Sequence, residues 1–157
     1  MLGRQGGWEC PFDHPAIRSV EYAGDDEFAA IYNIAPILPG HSLIVPRRHV
    51  ERLALLKDDE VCHLFLFARR VTDFLSAHFQ ADGFDWTIQD GASAGQTVGH
   101  VHLHVVPRRP EDLLSPGGWY MRLRSPIDSE ARPRLSNSEL NRIVTVLRSA
   151  ATEAGFR

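Results

Sequence analysis

The chain has 157 residues, 43% of them hydrophobic and 24% charged, the size and balance of one globular domain with its own apolar core rather than a disordered or fibrous chain. A formal net charge of −3 offers no general attraction to nucleic acid or anionic lipid, so any anion must be held by a local site. No apolar run nears the roughly 20 residues that span a bilayer, and the opening MLGRQGGWEC lacks the apolar core of a secretion signal. A cytoplasmic protein with free thiols at Cys10 and Cys62 is therefore expected.

Along the chain, residues 17–22 have strand character and EFAAIYN follows across a short AGDD turn, which together predict a hairpin. Pro36, Pro39 and Gly40 punctuate the next loop, and the β-branched run from His41 to Val45, closed by Pro46, predicts a third strand. From Lys57 to Gln80 the apolar residues Val61, Leu64, Ala68, Val71, Leu75 and Phe79 keep a helical period behind an acidic first turn, Asp58, Asp59 and Glu60, that suits the helix dipole. After Asp82 and Gly83, the alternation in FDWTIQD signals a half-buried fourth strand, and GQTVGHVHLHVVPR supplies the fifth. Residues 107–134 are rich in Pro, Gly and Arg without a period and read as a loop or surface arm. Within it Trp119 and Tyr120 read as anchors of the arm rather than as a stacking platform. Ser136-Asn137-Ser138-Glu139 is a capping-box pattern that opens a last helix to about Glu153. The order of elements predicts an α+β fold, a single domain over residues 1–157, with a mainly antiparallel sheet.

The chemistry is concentrated at His100, His102 and His104. In a strand alternate side chains share a face, so the three imidazoles point one way while Val101, Leu103 and Val105 face the core. With neighbours about 6 to 7 Å apart and the outer pair about 13 Å apart, three imidazoles on one straight strand cannot all reach a zinc ion whose bonds are about 2 Å long. Two could share a metal. A neutral imidazole is also a nucleophile when one ring nitrogen is held as a donor and the other is left free, and the middle histidine is best placed for this. Upstream, GASAGQTVG is small enough for its backbone to approach a ligand closely and for its amides to bind an anion. Loop and strand together suggest phosphate.

The run His100-Val101-His102-Leu103-His104-Val105-Val106 resembles the His-Φ-His-Φ-His-Φ-Φ signature, with Φ apolar, of the histidine triad nucleotide hydrolases and transferases. The stretches FAAIYNIAPILPGHSLIVPRRHVERL and WTIQDGASAGQTVGHVHLHVVPR extend the likeness over roughly residues 10–110 to the branch of the fragile histidine triad proteins and their bacterial diadenosine polyphosphate hydrolase relatives. That resemblance implies a five-stranded antiparallel sheet with a long central helix and a C-terminal helix, a homodimer, and in-line attack on the α-phosphate of a dinucleoside polyphosphate or adenylyl conjugate with release of AMP. His102 would be the nucleophile and form a covalent nucleotidyl-histidine, His104 would donate to the phosphate, and His100 and His41 would orient the site. Gln96 is similar to the family's phosphate-contacting glutamine and Asn33 to its ribose contact; Ile31, Thr97 and Val98 complete the implied nucleotide pocket. Two alternatives stay open: phosphorolysis in place of hydrolysis, and a nucleotide-binding signalling module with little turnover. A third, a metal hydrolase using the triad as ligands, is distinguished by its sensitivity to chelation.

The resemblance further implies that the nucleophile needs no cofactor, although magnesium can accompany a polyphosphate substrate. Some bacterial members hold structural zinc through Cys-x-x-Cys, a histidine after the third strand and the first triad histidine. Here Cys10-Pro11-Phe12-Asp13 keeps one cysteine, and His49 and His100 stand at the matching places. Cys10, Asp13, His49 and His100 are thus either a zinc set or the remnant of one.

Overall fold

The structure is a computed structural model that describes residues 10–157. The stretch read above for a secretion signal falls almost entirely on residues 1–9, outside the described part. Five strands, β1 (Glu21–Gly24), β2 (Phe28–Tyr32), β3 (Ser42–Pro46), β4 (Gly83–Ile88) and β5 (Leu103–Arg108), form one sheet in the order β1-β2-β3-β5-β4 with every pairing antiparallel. Among the described residues the α-helices are α1 (Asp58–Phe79), α2 (Gly118–Arg124) and α3 (Asn137–Glu153).

Helix α1 presents Leu64, Phe67, Ala68, Val71 and Leu75, all buried, at the i, i+3, i+4, i+7 spacing that makes one apolar stripe. The stripe packs on the sheet face formed by residues such as Phe28, Ile44, Leu103 and Val105. Its ends follow the chain chemistry: Glu60 accepts from the backbone N–H of Lys57 at 2.7 Å, and Gln80 takes a left-handed conformation at the C-terminus. Helix α3 buries Leu140, Val144, Leu147 and Ala151 beside β1, and the Ser136 and Glu139 side chains cap its start reciprocally.

Three elements differ from their sequence readings. The first strand starts at Glu21, because Pro15 at the head of Pro15–Ser19 fixes a 3-10 turn that the His14 imidazole caps by accepting from the Ala16 N–H at 3.1 Å. The β5 ladder starts at Leu103, so His100 and His102 lie on the approach to it. There the chain leaves β3, and the Val101 N–H donates to the Val50 carbonyl at 2.6 Å instead of to a ladder partner. Finally, the arm contains the seven-residue α2, anchored by buried Leu123, while Trp119 is half-buried and Tyr120 exposed. Leu123 does the anchoring expected of the two aromatic residues. Cys10 and Cys62 are both free thiols, as expected.

Candidate active site

Two turns and the mouth of the β3–β5 pair assemble the site. Gly40 adopts φ +89°, and a Cβ there would meet Phe79 at 2.8 Å and Pro107 at 2.9 Å, so only glycine lets the chain turn into β3 at this point. The Gly40 N–H donates to the Tyr32 hydroxyl at 3.1 Å, which ties the turn to β2 and sets down His41 fully buried. Register then places Leu43 opposite His104, bringing His41 beside the triad.

The protonation pattern follows from the partners. His41 Nδ1 accepts from the Ile37 N–H at 3.1 Å, and burial pushes its pKa down to about 3, so the ring is neutral with its proton on Nε2. That proton is donated to His104 Nδ1 at 3.0 Å. His104 is itself held well below the usual imidazole range by burial, so its own proton sits on Nε2. His102 Nδ1 donates to the His100 carbonyl at 2.7 Å, leaving the Nε2 lone pair free, and burial lowers its pKa as well. The His102 and His104 rings lie 5.1 Å apart. One ring therefore offers a lone pair and its neighbour a donor, both uncharged.

Both rings line a cavity of about 670 Å³ together with Asn33, Ile31, Thr97 and Val98, all predicted at the pocket. Asn33 is buried and its carbonyl oxygen accepts from the Ala35 N–H at 2.9 Å, fixing which way the amide faces. Gln96 is not brought to the cavity. Its Oε1 accepts from the Gly91 N–H at 2.6 Å and its Nε2 donates to the Glu51 carbonyl at 2.9 Å, so the amide braces the loop. The glutamine that lines the cavity is Gln89, at the end of the WTIQD run, a residue the sequence reading passed over. Apolar walls come from Phe12, Ile17 and Val20 on one side and from Leu123, Pro126 and Ile127 of the arm on the other. Arg132, also from the arm, reaches the same cavity.

His100 belongs to a different cluster. Its Nε2 donates to the Pro46 carbonyl at 2.9 Å, which leaves Nδ1 as a free acceptor 3.4 Å from Cys10 Sγ and 3.4 Å from an Asp13 carboxylate oxygen. His49 Nδ1 is 2.8 Å from the other Asp13 oxygen, and one donor atom from each of the four residues lies within 4.8 Å of the rest. Ligand atoms about 3.5 Å apart are what a tetrahedral zinc site requires, and a sulfur, oxygen and two nitrogen donors match that metal. The carbonyl behind His100 is the kind of outer partner that orients a metal-bound imidazole. The residues present fit a metal ion.

Comparison with known proteins decides the family. A HIT domain model matches residues 16–111. The chain belongs to the HIT family. It is 41% identical over 105 residues to a bis(5'-adenosyl)-triphosphatase of Dictyostelium discoideum, covering 67% of this chain and 68% of that protein. It is also 46% identical over 85 residues to an asymmetrical bis(5'-nucleosyl)-tetraphosphatase of Schizosaccharomyces pombe, covering 54% of this chain and 47% of that one. The match thus spans about half the length of the second relative. Among solved structures, a Zn-bound histidine triad protein of Mycobacterium smegmatis superposes with a TM-score of 0.64 at 29% identity, covering 86% of this chain and 87% of that one. The HIT fold of this chain is that of its structural neighbours, with the antiparallel sheet and helices described above.

Proposed function

We propose that this HIT protein hydrolyses dinucleoside polyphosphates, with diadenosine triphosphate as the reference substrate, by nucleophilic attack of His102. The observation that carries the reading is the His102 Nδ1–H bond to the His100 carbonyl, which presents the Nε2 lone pair to a cavity large enough for a nucleotide. Family membership and the names of the two relatives support the same class of substrate.

In the first step the Nε2 lone pair forms a bond to the α-phosphorus as the bond from that phosphorus to its bridging oxygen breaks, and the electron pair leaves on ADP. His104 Nε2–H donates to the phosphate oxygens as charge builds on them, and the neutral His41 behind it fixes that proton's direction. In the second step water attacks the same phosphorus, the P–N bond breaks, and His102 recovers its lone pair as AMP departs. Gln89, Thr97, Val98, Asn33 and Ile31 line the same cavity; on this reading the first three would meet the phosphates and the last two the nucleoside. None of these steps needs a protein-bound metal; magnesium would travel with the polyphosphate.

Zinc held by Cys10, Asp13, His49 and His100 would supply structure rather than a reacting group. By cross-linking the N-terminal turn to His100 it would fix the carbonyl that sets the His102 tautomer. The homodimer is proposed through the free edge of β4 and the adjoining face of α1, where Phe65, Leu66 and Phe84 stand exposed around one shallow hollow.

His102→Asn should lower kcat for diadenosine triphosphate by a factor of about 10³ or more, while AMP binding measured by calorimetry stays within about threefold of wild type. Turnover near the wild-type rate in that variant would show that His102 is not the nucleophile.

A further inference from the structure

We propose that Arg132 is the phosphate-holding cation of the cavity, the residue that makes the site prefer a nucleotide to its nucleoside. The inference rests on the nucleotide reading above. Arg132 comes from the arm, has 8% of its surface exposed, and borders the same cavity as His102 and His104. Among the described residues no carboxylate pairs with it. Its Nε donates to the Ala35 carbonyl at 3.1 Å and its Nη1 to the Leu123 carbonyl at 3.0 Å. Two backbone ties therefore hold the guanidinium rigid and leave Nη2 without an acceptor among the described residues.

A buried cation without a counter-ion is costly, and natural interiors rarely keep one unless something anionic completes it. The rest of the site cannot supply that role. His41, His102 and His104 are neutral, as their hydrogen bonds and burial require, so these imidazoles contribute a lone pair and a donor but no positive charge. Arg124 also borders the cavity but is exposed, where water screens its charge. The chain as a whole is negative, with no general field to draw in a polyphosphate. A planar guanidinium already oriented by two carbonyls matches phosphate oxygens and loses little freedom on binding them. The ties also explain the arm: Ala35 lies two residues beyond Asn33, so one side chain links the nucleoside-facing turn, α2 and the anion.

The test is equilibrium binding of adenosine, AMP and a methylene-bridged diadenosine triphosphate to the wild-type protein, Arg132→Met and Arg132→Lys. Loss of one charge-assisted phosphate contact predicts a drop of roughly 10- to 100-fold in affinity for the two phosphorylated ligands in Arg132→Met. Adenosine affinity should stay within about threefold, and Arg132→Lys should recover part of the preference. If adenosine and the phosphorylated ligands weaken in parallel, Arg132 only anchors the arm and the proposal fails. It fails equally if the phosphate preference survives in Arg132→Met. A wild-type protein that binds none of the three would instead overturn the nucleotide reading itself.

Discussion

At the scale of single residues, the site is a set of proton positions. The Ile37 N–H fixes His41, His41 fixes His104, and the His100 carbonyl fixes His102, so the proposed nucleophile and its neighbouring donor are prepared before substrate arrives. The acid limb of kcat/KM should accordingly fall below the 6.5 of a free imidazole, because burial lowers the His102 pKa; a limb above 6.5 would contradict the assignment. Stability carries the same signature. The unfolded His41 takes up a proton near 6.5 and the folded one only near 3, so the stability it contributes is complete above 6.5 and is lost as pH falls through that window. Urea unfolding at pH 6, 5 and 4 should show a slope about 1.4 kcal/mol per pH unit smaller in His41→Gln than in wild type. The triad was legible in the sequence because three imidazoles alternating with three aliphatic side chains are the pattern of a strand with a core face and a reactive face, although only His104 lies in the β5 ladder. The glutamines were not: Gln89 and Gln96 flank one small-residue loop, and only the tight turn at Gly91 decides that Gln96 turns back to the backbone. Arg132 left no local signal, since its place at the cavity depends on how the whole arm folds back.

At the scale of elements, legibility followed periodicity and end chemistry. Helices α1 and α3 were readable almost to the residue because a sustained apolar period coincides with capping side chains at each start. Helix α2 was not, because seven residues opened by glycines give neither a period nor a cap. The beginning of β5 was misplaced for a different reason. Residue alternation persists through His100 and His102, but the ladder with β3 ends at the Ile44–Leu103 pair, and the Val101 N–H bonds the Val50 carbonyl beyond the end of β3 instead. The turn into β3 should be the least tolerant connection in the molecule. Gly40→Ala combines a positive φ with overlap against Phe79 and Pro107 and should cost about 2–4 kcal/mol in chemical unfolding, with activity reduced through His41. Ser136→Ala removes one side of a capping box whose residues do not line the cavity and should cost about 1 kcal/mol with kcat unchanged.

At the scale of the whole molecule, one face of the sheet is sealed by helices while the mouth of β3 and β5 opens into a cavity walled on its far side by the arm. The arm is therefore the part of the chain best placed to tune which nucleotide enters, and the Arg132 experiment addresses it. The edge of β4 is the proposed dimer surface: Phe84→Asp with Leu66→Asp should convert the proposed dimer to a monomer in sedimentation, and a wild-type chain that sediments as a monomer would remove that interface. Metal analysis belongs here as well. Wild-type protein should bind one zinc per chain and Cys10→Ser markedly less, with chelation lowering the melting temperature but leaving the attack itself metal-free. The central claim, that His102 carries the nucleotidyl group, is tested most directly by rapidly quenching the enzyme during turnover of diadenosine triphosphate and mapping the modified peptide by mass spectrometry. An adenylyl group is expected on His102 in the wild type and none in His102→Asn; the same group on another residue, or full turnover with no modified enzyme at any time, would contradict the assignment.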